Sequence, residues 1–204
     1  MSTAILFSFI LYCFVTSVTP GPNNIMLASS GITFGFKRSI PHILGIGFGF
    51  GLMVILVGLG LGTLLSSSPI LFTSMKILGI TYLLYLAYQI YNSDSINTQS
   101  SQSKPLSFLG AALFQWVNPK AWIMIMGAVT AYTSAQSSMG LFLFIGLIYG
   151  IVSIPSVGIW AYIGETFQRF ANNPKKIKWF NQAMALLLVV SVISPIKELI
   201  MLCK

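Results

Sequence analysis

The sequence predicts an all-α integral membrane protein: six transmembrane helices in two inverted three-helix repeats, with spans 1 and 4 interrupted near the midplane. Three observations carry that expectation. The 204 residues are 55% hydrophobic and only 7% charged, with a mean hydropathy of +0.85. The apolar residues come in runs long enough to cross about 30 Å of hydrocarbon. Proline-containing interruptions fall inside the first and fourth of these runs. Eleven Lys/Arg and three Asp/Glu cannot cover the surface of a soluble domain of this size, where about 25% of residues are charged. A soluble enzyme and a disordered chain are both excluded on that ground.

The apolar runs place span 1 at 5–36, span 2 at 40–65, span 3 at 70–91, span 4 at 107–131, span 5 at 139–163 and span 6 at 180–201. The Ser/Asn/Gln-rich stretch 92–105 is the candidate linker. It divides a single transporter domain, 1–204, into repeat one (1–91) and repeat two (106–204). The first run lacks Lys or Arg before it and a small-residue cleavage site after it, so it is expected to remain as a span. Three crossings per half reverse the sense of the second half.

Basic residues orient the spans. Lys37, Arg38, Lys104, Arg169, Lys175, Lys176 and Lys178 lie in the loops after odd-numbered spans, and only Lys204 lies on the other side. That puts the odd loops, with the 92–105 linker, in the cytoplasm and both termini outside. The net charge of +8 is spread through these short loops. It therefore implies contact with a lipid bilayer and not nucleic acid. Cys13 and Cys203 are far apart in sequence, and no Cys/His motif occurs, so no metal and no cofactor is expected. The glycines of span 2, with Gly45/Gly49, Gly47/Gly51 and Gly58/Gly62 as small-xxx-small pairs, are expected to pack a neighbouring helix. That neighbour is either in the same chain or in a homo-oligomer.

Thr19-Pro20-Gly21-Pro22-Asn23-Asn24 should unwind span 1, because proline removes a donor and clashes with the preceding turn. Asn118-Pro119-Lys120 should do the same to span 4. Such backbone is tolerated in a membrane only inside protein or beside a wet cavity. Broken helices at matching positions of inverted halves point to a transport site. The opened N-terminal ends would face a carboxylate and the opened C-terminal ends an ammonium or a cation, which suits a zwitterionic amino acid. Pro20, Gly21, Pro22, Asn23, Asn24, Gln115, Asn118, Pro119 and Lys120 are therefore the expected substrate-binding residues. Lys120, deep in its span, is expected to draw the carboxylate; the alternative is a snorkelling lysine. Capping of the broken ends is the alternative for the asparagines. Glu165 and His42 are the candidates for proton coupling. Trp116, Trp122, Trp160 and Trp179 are read as interface and packing residues, and Lys76 as a snorkelling one.

Thr19-Pro20-Gly21-Pro22-Asn23-Asn24, followed by Gly35-Phe36-Lys37-Arg38-Ser39 and His42-Ile43-Leu44-Gly45-Ile46, resembles the N-terminal signature of the LysE/RhtB family of amino-acid exporters. Asn118-Pro119-Lys120-Ala121 is similar to that family's fourth-span motif. The resemblance implies a bacterial inner-membrane protein with six helices in two inverted repeats. It implies efflux of small amino acids or derivatives (threonine/homoserine, cysteine/O-acetylserine, leucine or lysine type), coupled to protons and without enzymatic activity. A divalent-metal exporter of related fold, or a membrane thiol-redox relay, is the alternative. Both are short of ligands or of cysteines at the breaks.

Overall fold

The computed structural model describes residues 1–63, 67–92, 104–134, 137–170 and 174–202. Most of the linker, Asp94, Cys203 and Lys204 lie outside them, as does the side chain of Glu198. Among the described residues all regular structure is helical: α1 (Thr3–Val18), α2 (Pro22–Phe34), α3 (Phe36–Leu56), α4 (Pro69–Tyr91), α5 (Phe108–Phe114), α6 (Pro119–Tyr132), α7 (Met139–Phe170), α8 (Pro174–Ser191) and α9 (Ile193–Leu202). A π-helical turn, Val57–Leu61, prolongs α3, and Gly60 within it has φ +108°, a value that favours glycine.

The residues that stop a helix also start the next. Proline cannot donate, so it fits the first turn, where amides lack intrahelical partners. Pro22 opens α2 and Pro119 opens α6. Asn118 caps α6 through Oδ1, 3.1 Å from the Lys120 amide. Ser107 caps α5 in the same way. The α1–α2 pair is bent by 60° at its break.

Among the described residues, three helical stretches are long and apolar enough to cross a membrane: Phe36–Leu61, Met139–Phe170 and Lys175–Lys197. The bent α1–α2 pair is a fourth if it counts as one span. The chain is thus a multi-pass helical membrane protein. Two boundaries differ from the sequence reading. Helix α7 runs on to Phe170, beyond the apolar run, through the more polar stretch Gly164–Arg169. The sixth apolar run divides after Ser191 into α8 and α9, with Pro195 in the first turn of α9.

Close helix crossings are made by glycine. A Cβ on Gly47 would lie 3.0 Å from the Gly150 carbonyl oxygen, and one on Gly150 would lie 2.9 Å from that of Gly47. Gly51 and Gly146 face each other in the same reciprocal way, at 2.9 and 2.8 Å. Position 47 meets 150 while 51 meets 146, so α3 and α7 run antiparallel. Gly45 and Gly49 pack against Phe108, Ala111, Ala112 and Gln115, with numbering that rises on both sides, so α3 and α5 run parallel. These glycines are taken up within one chain, which removes them as a surface for a homo-oligomer. The main core joins α1, α2, α3, α5, α6 and α7 through residues such as Phe9, Leu27, Phe50, Ile125 and Tyr149. A second core holds α4 and α8 against Ile25, Met26 and Phe114.

Candidate functional site

The two helix breaks meet. Asn23, in the first turn of α2, donates through Nδ2 to Gln115 Oε1 at 2.8 Å, and Gln115 Nε2 donates back to Asn23 Oδ1 at 3.2 Å. Both side chains are buried. Gln115 Nε2 also closes the end of α5 by donating to the Ala111 carbonyl, and Asn118 Nδ2 reaches Gln115 Oε1 at 3.5 Å. A reciprocal amide pair of this kind orients both groups, since each nitrogen must face an oxygen.

Lys120 crosses from the second break to the first. Its ammonium donates to the carbonyl oxygens of Thr19 and Pro20 at 2.5 and 3.2 Å, and to Thr19 Oγ1 at 2.9 Å. The side chain lies over Gly21, where a Cβ would stand 3.0 Å from Nζ. Lys120 is therefore half-buried between the breaks, not snorkelling among acyl tails.

The C-terminal end of α1 is satisfied carbonyl by carbonyl. The Val15 oxygen accepts from the Thr19 amide, and the Thr16 oxygen from Thr19 Oγ1. Asn24 Nδ2 serves the Ser17 oxygen at 2.8 Å and the Thr19 oxygen at 2.6 Å. Trp160 Nε1, from α7, serves the Val18 oxygen at 2.9 Å. Lys120 serves Thr19 and Pro20, and the Gly21 oxygen accepts the Ile25 amide. The carbonyls expected to face an ammonium or a cation thus have donors within the chain, and one of these is the Lys120 ammonium. The N-terminus of α2 is different. It has no side-chain cap, so its positive end faces the cleft beside Lys120.

Two spaces flank Lys120 and Gly21. A cleft of about 370 Å³ is bounded by both breaks, by Met75 and Lys76 of α4, by Trp116, Trp122 and Ile123, and by Ser191 and Pro195. Trp122 Nε1 donates to the Trp116 carbonyl at 2.8 Å and the two rings meet edge to face, so this wall is fixed. On the other side lies a cavity of about 10 Å³, room for about one water-sized group. Thr16, Ser17, Asn23, Asn24 and Asn118 line it, with Phe50, Met124 and Val157.

Eight of the nine residues expected at the site line one or both of these spaces, and the ninth, Gln115, lines neither but bonds to Asn23 and Asn118. The proton-coupling candidates do not line either space. His42 is fully buried in α3 and neither ring nitrogen has a hydrogen-bond partner. Glu165, at the far end of α7, accepts from the Phe36 amide at 3.1 Å and pairs with Arg169 at 2.5 Å. It thereby fastens the α2–α3 corner, where Gly35 has φ +82°. Sequence reasoning missed Ser17, and it gave Lys76, Trp116, Trp122 and Trp160 to the interface and to packing. The available signal was position: Trp116 and Trp122 flank Asn118-Pro119-Lys120 on either side.

No solved structure matches the chain. Among curated proteins it is similar to the cysteine/O-acetylserine efflux protein of Escherichia coli O157:H7, with 30% identity over 192 residues, covering 93% of this chain and 96% of the relative. The protein of the same name from Escherichia coli strain K12 aligns equally well. That of Salmonella choleraesuis strain SC-B67 is 28% identical over 191 residues, with the same coverage. Residues 14–192 match the model of the LysE type translocator, a span that contains both helix breaks. A helical membrane chain so matched, in a family of transporters and not of enzymes, is a member of the LysE type translocator family.

Proposed function

We propose that this protein is a secondary efflux transporter that exports small amino acids or their derivatives across the bacterial inner membrane by proton antiport. It crosses the bilayer six times, as two inverted three-helix repeats, with both termini in the periplasm and the 92–105 linker in the cytoplasm. The observation that carries this reading is the meeting of the two breaks through the Asn23–Gln115 pair and the Lys120 ammonium. The antiparallel α3–α7 crossing and the parallel α3–α5 crossing support it, because six alternating crossings require those senses. The names of the relatives favour cysteine and O-acetylserine among the candidate substrates.

In this reading the substrate carboxylate docks at the uncapped start of α2 beside Lys120, where a cation and a helix N-terminus act on one anion. Pro20, Gly21, Pro22, Asn23, Asn24, Gln115, Asn118 and Pro119 form the surrounding wall. The 370 Å³ cleft suits a ligand of amino-acid size. The test is counterflow in proteoliposomes with labelled cysteine, O-acetylserine, threonine, homoserine, leucine and lysine. Accumulation of at least one, lost in Lys120→Met, is the expected result. No accumulation of any of them would refute the reading.

A further inference from the structure

Hydroxyls inside the helices of this protein generally bond back to their own backbone. Thr16, Thr133, Ser153 and Ser156 each donate to a carbonyl three or four residues earlier, at 2.6 to 2.8 Å. Ser17 does not. It is 2% exposed, sits in the last turn of α1 beside the Tyr149 hydroxyl, and its Oγ makes no well-formed hydrogen bond. A buried unpaired hydroxyl is costly, so it marks a place where a partner arrives.

Asn24 is the second such group. Its Nδ2 is fixed by two carbonyl oxygens, Ser17 and Thr19, neither of which can face the amide oxygen. The orientation of the amide is thereby settled, and Oδ1 must look the other way. That atom too is buried and without a partner. Ser17 and Asn24 both line the small cavity beside Lys120. Two acceptors thus meet in a space for about one small group. A primary ammonium is of that size and carries N–H donors for both. The main-chain carbonyls at this break are already occupied, so the amine of a zwitterion held by Lys120 finds its acceptors here.

We propose that Ser17 Oγ and Asn24 Oδ1 form the seat of the substrate's primary ammonium group. This rests on the amino-acid export reading above and goes further: it makes the site selective for a free, unmethylated and unacylated amine. A charged donor lost from one acceptor weakens binding roughly tenfold.

The experiment is competition against labelled L-cysteine counterflow, under reducing conditions, by unlabelled L-cysteine, by 3-mercaptopropionate (the same molecule without its amine) and by N-acetylcysteine. Wild type, Ser17→Ala, Ser17→Thr and Lys120→Met are compared in full-length protein. Wild type is expected to prefer cysteine over both analogues. In Ser17→Ala the preference over 3-mercaptopropionate falls about tenfold, through cysteine alone. Ser17→Thr restores it, while in Lys120→Met cysteine and 3-mercaptopropionate bind worse together. Because Ser17 Oγ makes no well-formed hydrogen bond in the protein, Ser17→Ala is also expected to melt close to the wild-type temperature without ligand. An unchanged preference in Ser17→Ala, or equal loss for cysteine and 3-mercaptopropionate, would overturn the proposal and leave the cavity a seat for water. Wild type that moves cysteine but ignores the amine would do the same. Wild type that moves no amino acid at all overturns the export reading together with it.

Discussion

The ammonium of Lys120 lies 2.5 Å from the carbonyl oxygen of Thr19, so a cation carried by the second break sits on the helix end opened by the first. The position is favourable twice over: the C-terminus of α1 is the negative end of its dipole, and the carbonyls of Thr19 and Pro20 accept from the same group. Replacing Lys120 by Met strands the Pro20 oxygen and removes the charge that faces a carboxylate. Transport should fall more than tenfold, and stability by about 1–3 kcal/mol. Lys120→Arg should rescue stability only in part, since a planar fork does not match three acceptors grouped around a point charge. Counterflow and thermal melting in detergent, measured on the same samples, check both.

The Asn23–Gln115 pair joins the two breaks through two hydrogen bonds between buried amides. Asn23→Ala and Gln115→Ala should each cost about 1–3 kcal/mol, because each leaves a buried amide without its partner. The double variant should cost less than the sum, with a coupling of about 1 kcal/mol or more. Denaturant titration of the four proteins in one detergent measures it. Strict additivity would mean that the pair does not hold the breaks together.

The glycine crossing of α3 on α7 allows a test with an internal control. A Cβ at Gly51 would stand 2.9 Å from the Gly146 carbonyl oxygen, which is backbone and cannot rotate away. At Gly140 the nearest atom would be Ser138 Oγ, at 3.8 Å. Gly51→Ala should lose about 1–3 kcal/mol, whereas Gly140→Ala, in the first turn of α7, should be neutral or gain a few tenths. Melting temperatures of the two variants against wild type give the answer.

His42 and Glu165 separate in their surroundings, and proton coupling tells them apart. Glu165 is engaged by Arg169 and by the Phe36 amide at the end of α7, whereas His42 is enclosed with both nitrogens unbonded. In inverted membrane vesicles, acidifying the lumen should drive amino-acid uptake if protons flow the other way. His42→Gln should abolish that drive while leaving exchange of labelled for unlabelled substrate intact. Glu165→Gln should keep the drive and lower the melting temperature.

The two breaks were legible because proline announces itself: without an N–H it must end one helix, and at the first position it begins another. Lys120 was legible because a charge deep in an apolar run demands an explanation. Of the donors that close α1, Asn24 and Lys120 were legible and Trp160 was not. Trp160 comes 142 residues after the carbonyl it serves, and nothing local distinguishes it from a packing residue. Ser17 was hidden for a related reason. A serine in an apolar helix usually bonds to its own backbone or to a neighbouring side chain, and only coordinates reveal that Ser17 Oγ makes no well-formed bond of either kind. The span 2 glycines announced a close approach but not the helix approached, since a small-xxx-small pattern is the same for a neighbour in the chain and for another subunit.

The donors on the α1 carbonyls come from α2, α6 and α7. Pulling any one of those helices away would strip an oxygen of its partner inside the hydrocarbon, at a cost of several kcal/mol. Those four segments must therefore travel as a single block. The α4–α8 layer, held to α2 by the Ser29 Oγ–Asn181 Oδ1 hydrogen bond at 3.1 Å as well as by packing, closes the remaining side of the 370 Å³ cleft.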